Sequence, residues 1–193
     1  MEAIELLKYN QGNPLLFNSV LFFFLFTVLY ILFTAFAKNI KARNAILLIF
    51  SLYFYYKISG EYIGLLIAVG FIDFFVGKYL VKETSLTKRR ILLAISVMAN
   101  VGILIYFKYT FFIVNQFGLQ SSQFFSYFTR EILTPVGISY YIFKSLGYIL
   151  SIYREELEEA ETNIVNYLLY VSFFPTIVAG PITKAANLLP QFR

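Results

Sequence analysis

Long apolar runs, separated by short clusters of Lys, Arg, Asn and Gly, set the rhythm of this chain. A helix needs roughly 20 apolar residues to cross a bilayer core about 30 Å thick. Leu15 to Ala37 meets that requirement without a charge. Ala45 to Tyr56 is shorter and closes on the aromatic run Tyr53-Phe54-Tyr55-Tyr56. Tyr62 to Leu80 is a third predicted span, interrupted by Asp73 and Lys78, and Ile91 to Phe117 a fourth, with Lys108 towards its far end. Thr134 to Tyr153 is a fifth, opened by Pro135 and crossed by Lys144. Ile164 to Ile182 is a sixth, broken late by Pro175, Gly180 and Pro181. The pattern predicts an all-α polytopic membrane protein with about six transmembrane or membrane-embedded helices, residues 1–193 forming one membrane domain.

Composition sharpens that reading. Of 193 residues, 59% are hydrophobic and 14% charged, and the mean hydropathy is +0.70. Soluble domains carry about 25% charged residues, and a domain this small has too little interior to hide so much apolar surface. The absence of Cys excludes disulfides and thiolate metal sites, and the absence of His removes the commonest general base and zinc ligand. No metal site is expected. Without Trp, the interfacial aromatic belt falls to the 16 Tyr. The net charge of +5 does not point to nucleic acid, because the basic residues are dispersed between apolar runs. Ala35-Phe36-Ala37 resembles a signal-peptide cleavage site, but the preceding apolar run far exceeds an h-region and its flank is not basic.

The dispersed charges read instead as topology. Lys38, Lys41 and Arg43 lie between spans one and two; Lys78, Lys82, Lys88, Arg89 and Arg90 between three and four; Arg154 after five. The alternate side has only Lys8, Lys57 and Arg130. The heavier set is expected on the cytoplasmic side of the cell (inner) membrane, leaving the amino terminus extracytoplasmic. The acidic stretch 155–161 then falls inside, as a solvated loop or a helix's first turn.

Charges within hydrocarbon cost several kcal/mol and should face protein or water. Lys108 is near a surface and can snorkel. Asp73 and Lys144 lie deeper, roughly 17 Å and roughly 15 Å from the starts of their spans at about 1.5 Å per residue. Similar depth admits a direct pair; the alternative for Lys144 is a water-filled cavity.

The most specific text lies in the last third. Thr134 can cap a helix, Pro135 suits its first turn, and Gly137 and Ser139 allow close helix contact. Later, Pro175 removes a backbone donor and Gly180-Pro181 ends or redirects the helix. Broken backbone at membrane depth is tolerated only against protein or water; a simple proline kink is the blander alternative.

These segments resemble the membrane-bound O-acyltransferase (MBOAT) family, in particular the bacterial branch containing the alginate O-acetyltransferase membrane subunit. The family pattern Pro-x-Gly-Ile-Ser-aromatic-x-x-Phe is met at Pro135, Gly137, Ile138, Ser139, Tyr140 and Phe143. Its later Tyr and Tyr-Arg are met at Tyr148, Tyr153 and Arg154. Asn163, Tyr170, Ser172 to Pro175, Ala179 to Ile182 and Leu188 to Gln191 continue it. Asp73 with Phe74, Phe75 and Gly77, and Lys108 with Tyr109, also resemble this branch. Lys144 stands where relatives commonly have Gln, and Ser151 where they commonly have Asp.

The resemblance implies transfer of an acyl, expected to be acetyl, group from a cytoplasmic donor (acetyl-CoA or an acyl carrier) to hydroxyls of an exported polysaccharide, with a possible secreted or periplasmic partner subunit. No cofactor is expected to stay bound. The family's catalytic His lies in a later part of its members, so this chain reads as the amino-terminal part of such a protein. Alone it is expected to be inactive, with no catalytic residue of its own. Asp73, Ser139, Lys144, Tyr148, Pro175, Gly180 and Pro181 are the tunnel or core candidates. A small transporter and a non-catalytic membrane scaffold are the rival readings.

Overall fold

Helices begin where a polar side chain can take up the orphan N–H groups of a first turn. Ser19 accepts from the Phe22 N–H at 3.2 Å, Asn39 from Ala42 at 3.2 Å and Asn163 from Val165 at 2.9 Å. The resulting helices, in a computed structural model that describes residues 8–10, 12, 14–118, 133–157, 159–178 and 180–193, are α1 (Val20–Ala35), α2 (Ile40–Ser59), α3 (Ile63–Lys82), α4 (Leu86–Leu104), α5 (Thr110–Gln116), α6 (Ile138–Tyr153), α7 (Ile164–Ser172), α8 (Phe174–Ile177) and α9 (Ala185–Leu188). No strand occurs among the described residues. Arg130, Glu158 and Ala179, which belong to the charge count, the acidic stretch and the motif, lie outside them.

Cross-contacts fix the directions. The rings of Phe22 and Phe54 lie 5.8 Å apart and Arg43 sits over Phe33, so α1 and α2 run antiparallel. Gly60, at φ 60°, opens a 3₁₀ turn (Gly60–Tyr62) that sends α3 back beside α2. Asp73 meets Ser96 and Asn100 of α4, while Arg89 at the start of α4 reaches the last carbonyls of α6. The bundle therefore has a basic end, holding the turns near residues 36–39, 83–85 and 154–163, and an opposite end, holding residues 59–62, 105–109 and 134–138. Arg89 closes the basic end by donating to Glu155 at 2.7 Å and to the Tyr153 carbonyl at 3.1 Å, a cation at a helix C-terminus.

The core is aromatic. Phe22, Phe50, Phe54 and Phe174 form one cluster, with Phe50 and Phe174 edge-to-face at 4.9 Å. Tyr148 is fully buried against Gly77, where a Cβ would lie 2.7 Å from its Cε1. The missing side chain is what lets α3 and α6 approach.

Several expectations change. Two helical stretches are long and apolar enough to cross a bilayer: Ile40–Lys82, which includes the Gly60 break, and Leu86–Gln116, which includes a π turn at Ile105–Tyr109. Helices α1 and α6 have 16 residues each, short of a full crossing. Thr134 does not cap α6. The helix starts at Ile138 after Gly137 at φ 76°, and Thr134 Oγ1 donates to the Phe107 carbonyl at 2.7 Å, an acceptor within the π turn. Glu161 is not solvated: it is 2% exposed, takes the Thr162 and Asn163 N–H groups and pairs with Arg193 at 3.2 Å.

The sixth apolar run is no crossing helix. It starts at the basic end, where Asn166 accepts from Asn44 at 2.9 Å, and descends until the Ile177 carbonyl abuts Gly137 at the opposite end of α6. It then returns: the Thr183 carbonyl accepts from Tyr170 at 3.3 Å, the Phe192 carbonyl from Asn44, and Arg193 rejoins Glu161. Pro175 and Gly180-Pro181 account for this shape, since neither permits a continuous helix.

Candidate functional site

Helix α7 ends because its next donor is taken elsewhere. The Phe174 N–H, which would continue the ladder to the Tyr170 carbonyl, donates instead to Ser51 Oγ of α2 at 3.2 Å. The freed Tyr170 carbonyl accepts from Lys144 Nζ at 3.2 Å, and the same ammonium donates to Thr176 Oγ1 on the far side of the break. Tyr170 reciprocates, its hydroxyl donating to the Lys144 carbonyl at 3.1 Å, while its ring lies 5.7 Å from Nζ. Lys144 is 1% exposed. Among the described residues it makes no ion pair with Asp73; its ammonium bridges the broken backbone, satisfying an acceptor that the break leaves without a helical partner.

Asp73 sits one layer away, fully buried. Its carboxylate accepts from Ser96 Oγ at 2.6 Å and Asn100 Nδ2 at 2.8 Å, with Ser145 and Tyr167 paired beside it at 2.9 Å. No cation pairs with it among the described residues. Hydroxyl and amide donors thus hold the Asp73 carboxyl, and the pair with Lys144 that similar depth admits does not form.

Ser139 belongs to a different place. Lys108, carried by the π turn, donates to its hydroxyl at 3.3 Å across the mouth of a cavity of about 510 Å³ at the opposite end. Gly137, Tyr140, Phe143 and Ile182 are among its walls. Gly137 must lack a side chain there, because its backbone is left-handed and a Cβ would strike the Ile177 carbonyl. Lys108 is exposed, as a snorkelling residue would be, and its ammonium also bonds a hydroxyl in the wall of this largely apolar cavity. Tyr148 has its hydroxyl on the Glu161 N–H at 3.0 Å and serves the basic end. Pro175 lines an apolar groove beside α1 and α2, and Gly180 passes so close to Thr176 that a Cβ would lie 2.5 Å from its Cα. Pro181 follows in the exposed turn.

The seven candidates thus form no single site. Lys144, Pro175, Gly180 and Pro181 shape the broken segment; Asp73 and Tyr148 hold α3, α4 and α6 together; Ser139 faces the opposite-end cavity. The sequence reading missed Ser51, Ser96, Asn100, Thr176 and Glu161. Ser96 and Asn100 carried a signal, being polar at i and i+4 in an apolar run; Ser51 carried none. Chemically, the cavity presents an ammonium and hydroxyls, which position anionic or hydroxylated groups.

Comparison with known proteins supplies the remaining evidence. No family model and no solved structure matches the chain. It is 30% identical to the peptidoglycan O-acetyltransferase of Helicobacter pylori across 93% of the chain and 39% of that protein. It is 31% identical to the probable alginate O-acetylase AlgI of Azotobacter vinelandii and 30% to that of Pseudomonas aeruginosa, again over 93% of the chain, and over 36% and 35% of those proteins. The chain spans little more than a third of the length of these curated relatives. With such identity sustained along nearly all of its residues, the chain is a homologue of the MBOAT-type O-acetyltransferases.

Proposed function

We propose that these residues form the amino-terminal part of a multi-pass inner-membrane enzyme that transfers an acetyl group to hydroxyls of an exported polysaccharide. The observation that carries the reading is the 30–31% identity, along 93% of the chain, to proteins named for O-acetylation of alginate and peptidoglycan. Exposed Phe23, Phe24, Met98 and Phe111 on the outer faces suit lipid contact, and the basic end suits the cytoplasmic leaflet, with the amino terminus outside.

An alcohol needs a base to accept its proton as it attacks a thioester or other acyl donor, and donors to hold the developing oxyanion. The chain has no His, and Lys144 is committed to backbone. In this reading the base comes from beyond these 193 residues. The chain supplies the wall: the broken segment brings irregular backbone to membrane depth, and the Lys108–Ser139 recess receives the acceptor side. Acetyl-CoA or an acyl carrier is the donor, and a periplasmic partner subunit delivers the acceptor.

The test begins with the reading frame past the codon for Arg193, followed by acetyl transfer from labelled acetyl-CoA in membranes containing the full product. Transfer by the full product and none by the 193-residue chain is the expected result. Robust transfer by the purified chain overturns the division of labour, and none by a longer, correctly inserted product overturns the activity.

A further inference from the structure

Between α1, α2 and the break at Pro175 runs a groove of about 380 Å³ whose walls include Leu29, Phe33, Leu47, Phe173 and Phe174. Its flank is open sideways, where Tyr30 is 63% and Phe26 41% exposed on the outer face of α1. Its one cationic wall residue is Arg43, at the basic end. The Arg43 guanidinium lies 4.4 Å from the Phe33 ring centre, and its Nε is buried with no hydrogen-bond partner. No carboxylate pairs with it among the described residues. A buried guanidinium donor without an acceptor is costly, and the planar fork of Arg fits a phosphate particularly well. Lys38 and Lys41, both exposed in the adjoining turn and first helical turn, add positive potential at the same level.

We propose that this groove holds one anionic glycerophospholipid from the leaflet at the basic end, its phosphate on Arg43 and one acyl chain along the wall from Phe33 to Phe174. The charge selects the headgroup: zwitterionic lipids lack the net negative charge that basic residues attract at a membrane surface. The lateral opening and apolar walls select a lipid over a free phosphate, which has no use for either. The site deepens the membrane placement given above and rests on it, but not on acetyl transfer.

Native mass spectrometry of the detergent-solubilised 193-residue chain, with palmitoyl-oleoyl phosphatidylglycerol or phosphatidylcholine added at equal concentration, tests this. Wild type should retain one phosphatidylglycerol about tenfold more strongly than phosphatidylcholine, as expected for one charge-assisted pair. Arg43→Gln should bring the two lipids level while leaving helicity unchanged; Lys41→Gln should keep most of the preference. Leu47→Trp, which fills the groove and spares Arg43, should weaken retention of both lipids. Equal retention by wild type, preference surviving in Arg43→Gln, or full displacement by inorganic phosphate overturns the site. A wild-type chain that stays monodisperse without detergent overturns the membrane placement instead.

Discussion

Replacing Lys144 by Met tests whether the broken segment depends on a single donor. Met approximates the Lys stem in length and flexibility, so the change removes the ammonium without opening a large cavity. Two acceptors lose their partner. Thr176 Oγ1 keeps a bond, donating to the Phe173 carbonyl at 3.2 Å, whereas the Tyr170 carbonyl is orphaned because the Phe174 N–H is engaged by Ser51. One buried unsatisfied carbonyl costs about 1–3 kcal/mol. Removing a buried charge returns part of its desolvation cost, which leaves a net loss of about 1–2 kcal/mol. Lys144→Gln keeps a donor and should retain most of the stability, because the bond and not the charge is what the carbonyl lacks. Unfolding in mixed micelles by SDS titration gives the free energies, and hydrogen exchange should show the loss concentrated in residues 164–178. A Met variant as stable as wild type, or a Gln variant as unstable as Met, refutes the reasoning.

Gly77→Ala pushes a methyl to 2.7 Å from Tyr148 Cε1 and 3.2 Å from Ile152 Cδ1; overpacking should cost about 1–3 kcal/mol, and unchanged thermal unfolding counts against tight α3–α6 contact. Asp73→Leu strands the Ser96 and Asn100 donors and should destabilise by about 2–5 kcal/mol, against a smaller loss for Asp73→Asn; equal melting temperatures for the two would remove the hydrogen bonds from the account. Glu83 takes the Ser85 N–H at 3.0 Å, which with Lys88 at 3.7 Å holds its carboxyl below the ordinary value. Its contribution should be complete above the unfolded carboxylate range and fade as pH falls through the lower folded value. Melting curves of wild type and Glu83→Gln should therefore converge as the pH falls below the ordinary carboxylate range, and parallel curves refute it.

The helices before residue 118 were legible because hydropathy alone marks them: the four predicted runs each overlap a helix, with ends displaced by a few residues. The break at Pro175 was legible too, since proline and Gly-Pro carry their backbone consequences with them. Its outcome was not. Whether a broken run crosses or doubles back depends on what receives the freed groups, and the receivers, Ser51 and Lys144, come from other helices. The partners of Asp73 and Lys144 were not legible for a related reason. Opposite charges at one depth look like partners, but depth says nothing of azimuth, and each faces a different neighbour. Glu161 was hidden inside an acidic stretch whose other described carboxylates, Glu155, Glu156 and Glu159, are exposed.

The returning segment also constrains the order of assembly. Its anchors reach far back along the chain: Asn166 to Asn44, separated by 122 residues, and Phe174 to Ser51, separated by 123. Hydropathy can deliver a long apolar helix to the bilayer unaided, but a helix of 9 residues followed by one of 4 has no stable place there on its own. Residues 164–193 must therefore wait for α2 and α6 to be in place on either side of them and offer Asn44, Ser51 and Lys144 as partners. Insertion and folding are then separate events for this part of the chain, and a substitution in α2, made more than 100 residues earlier in synthesis, would show its damage only when the last segment fails to seat.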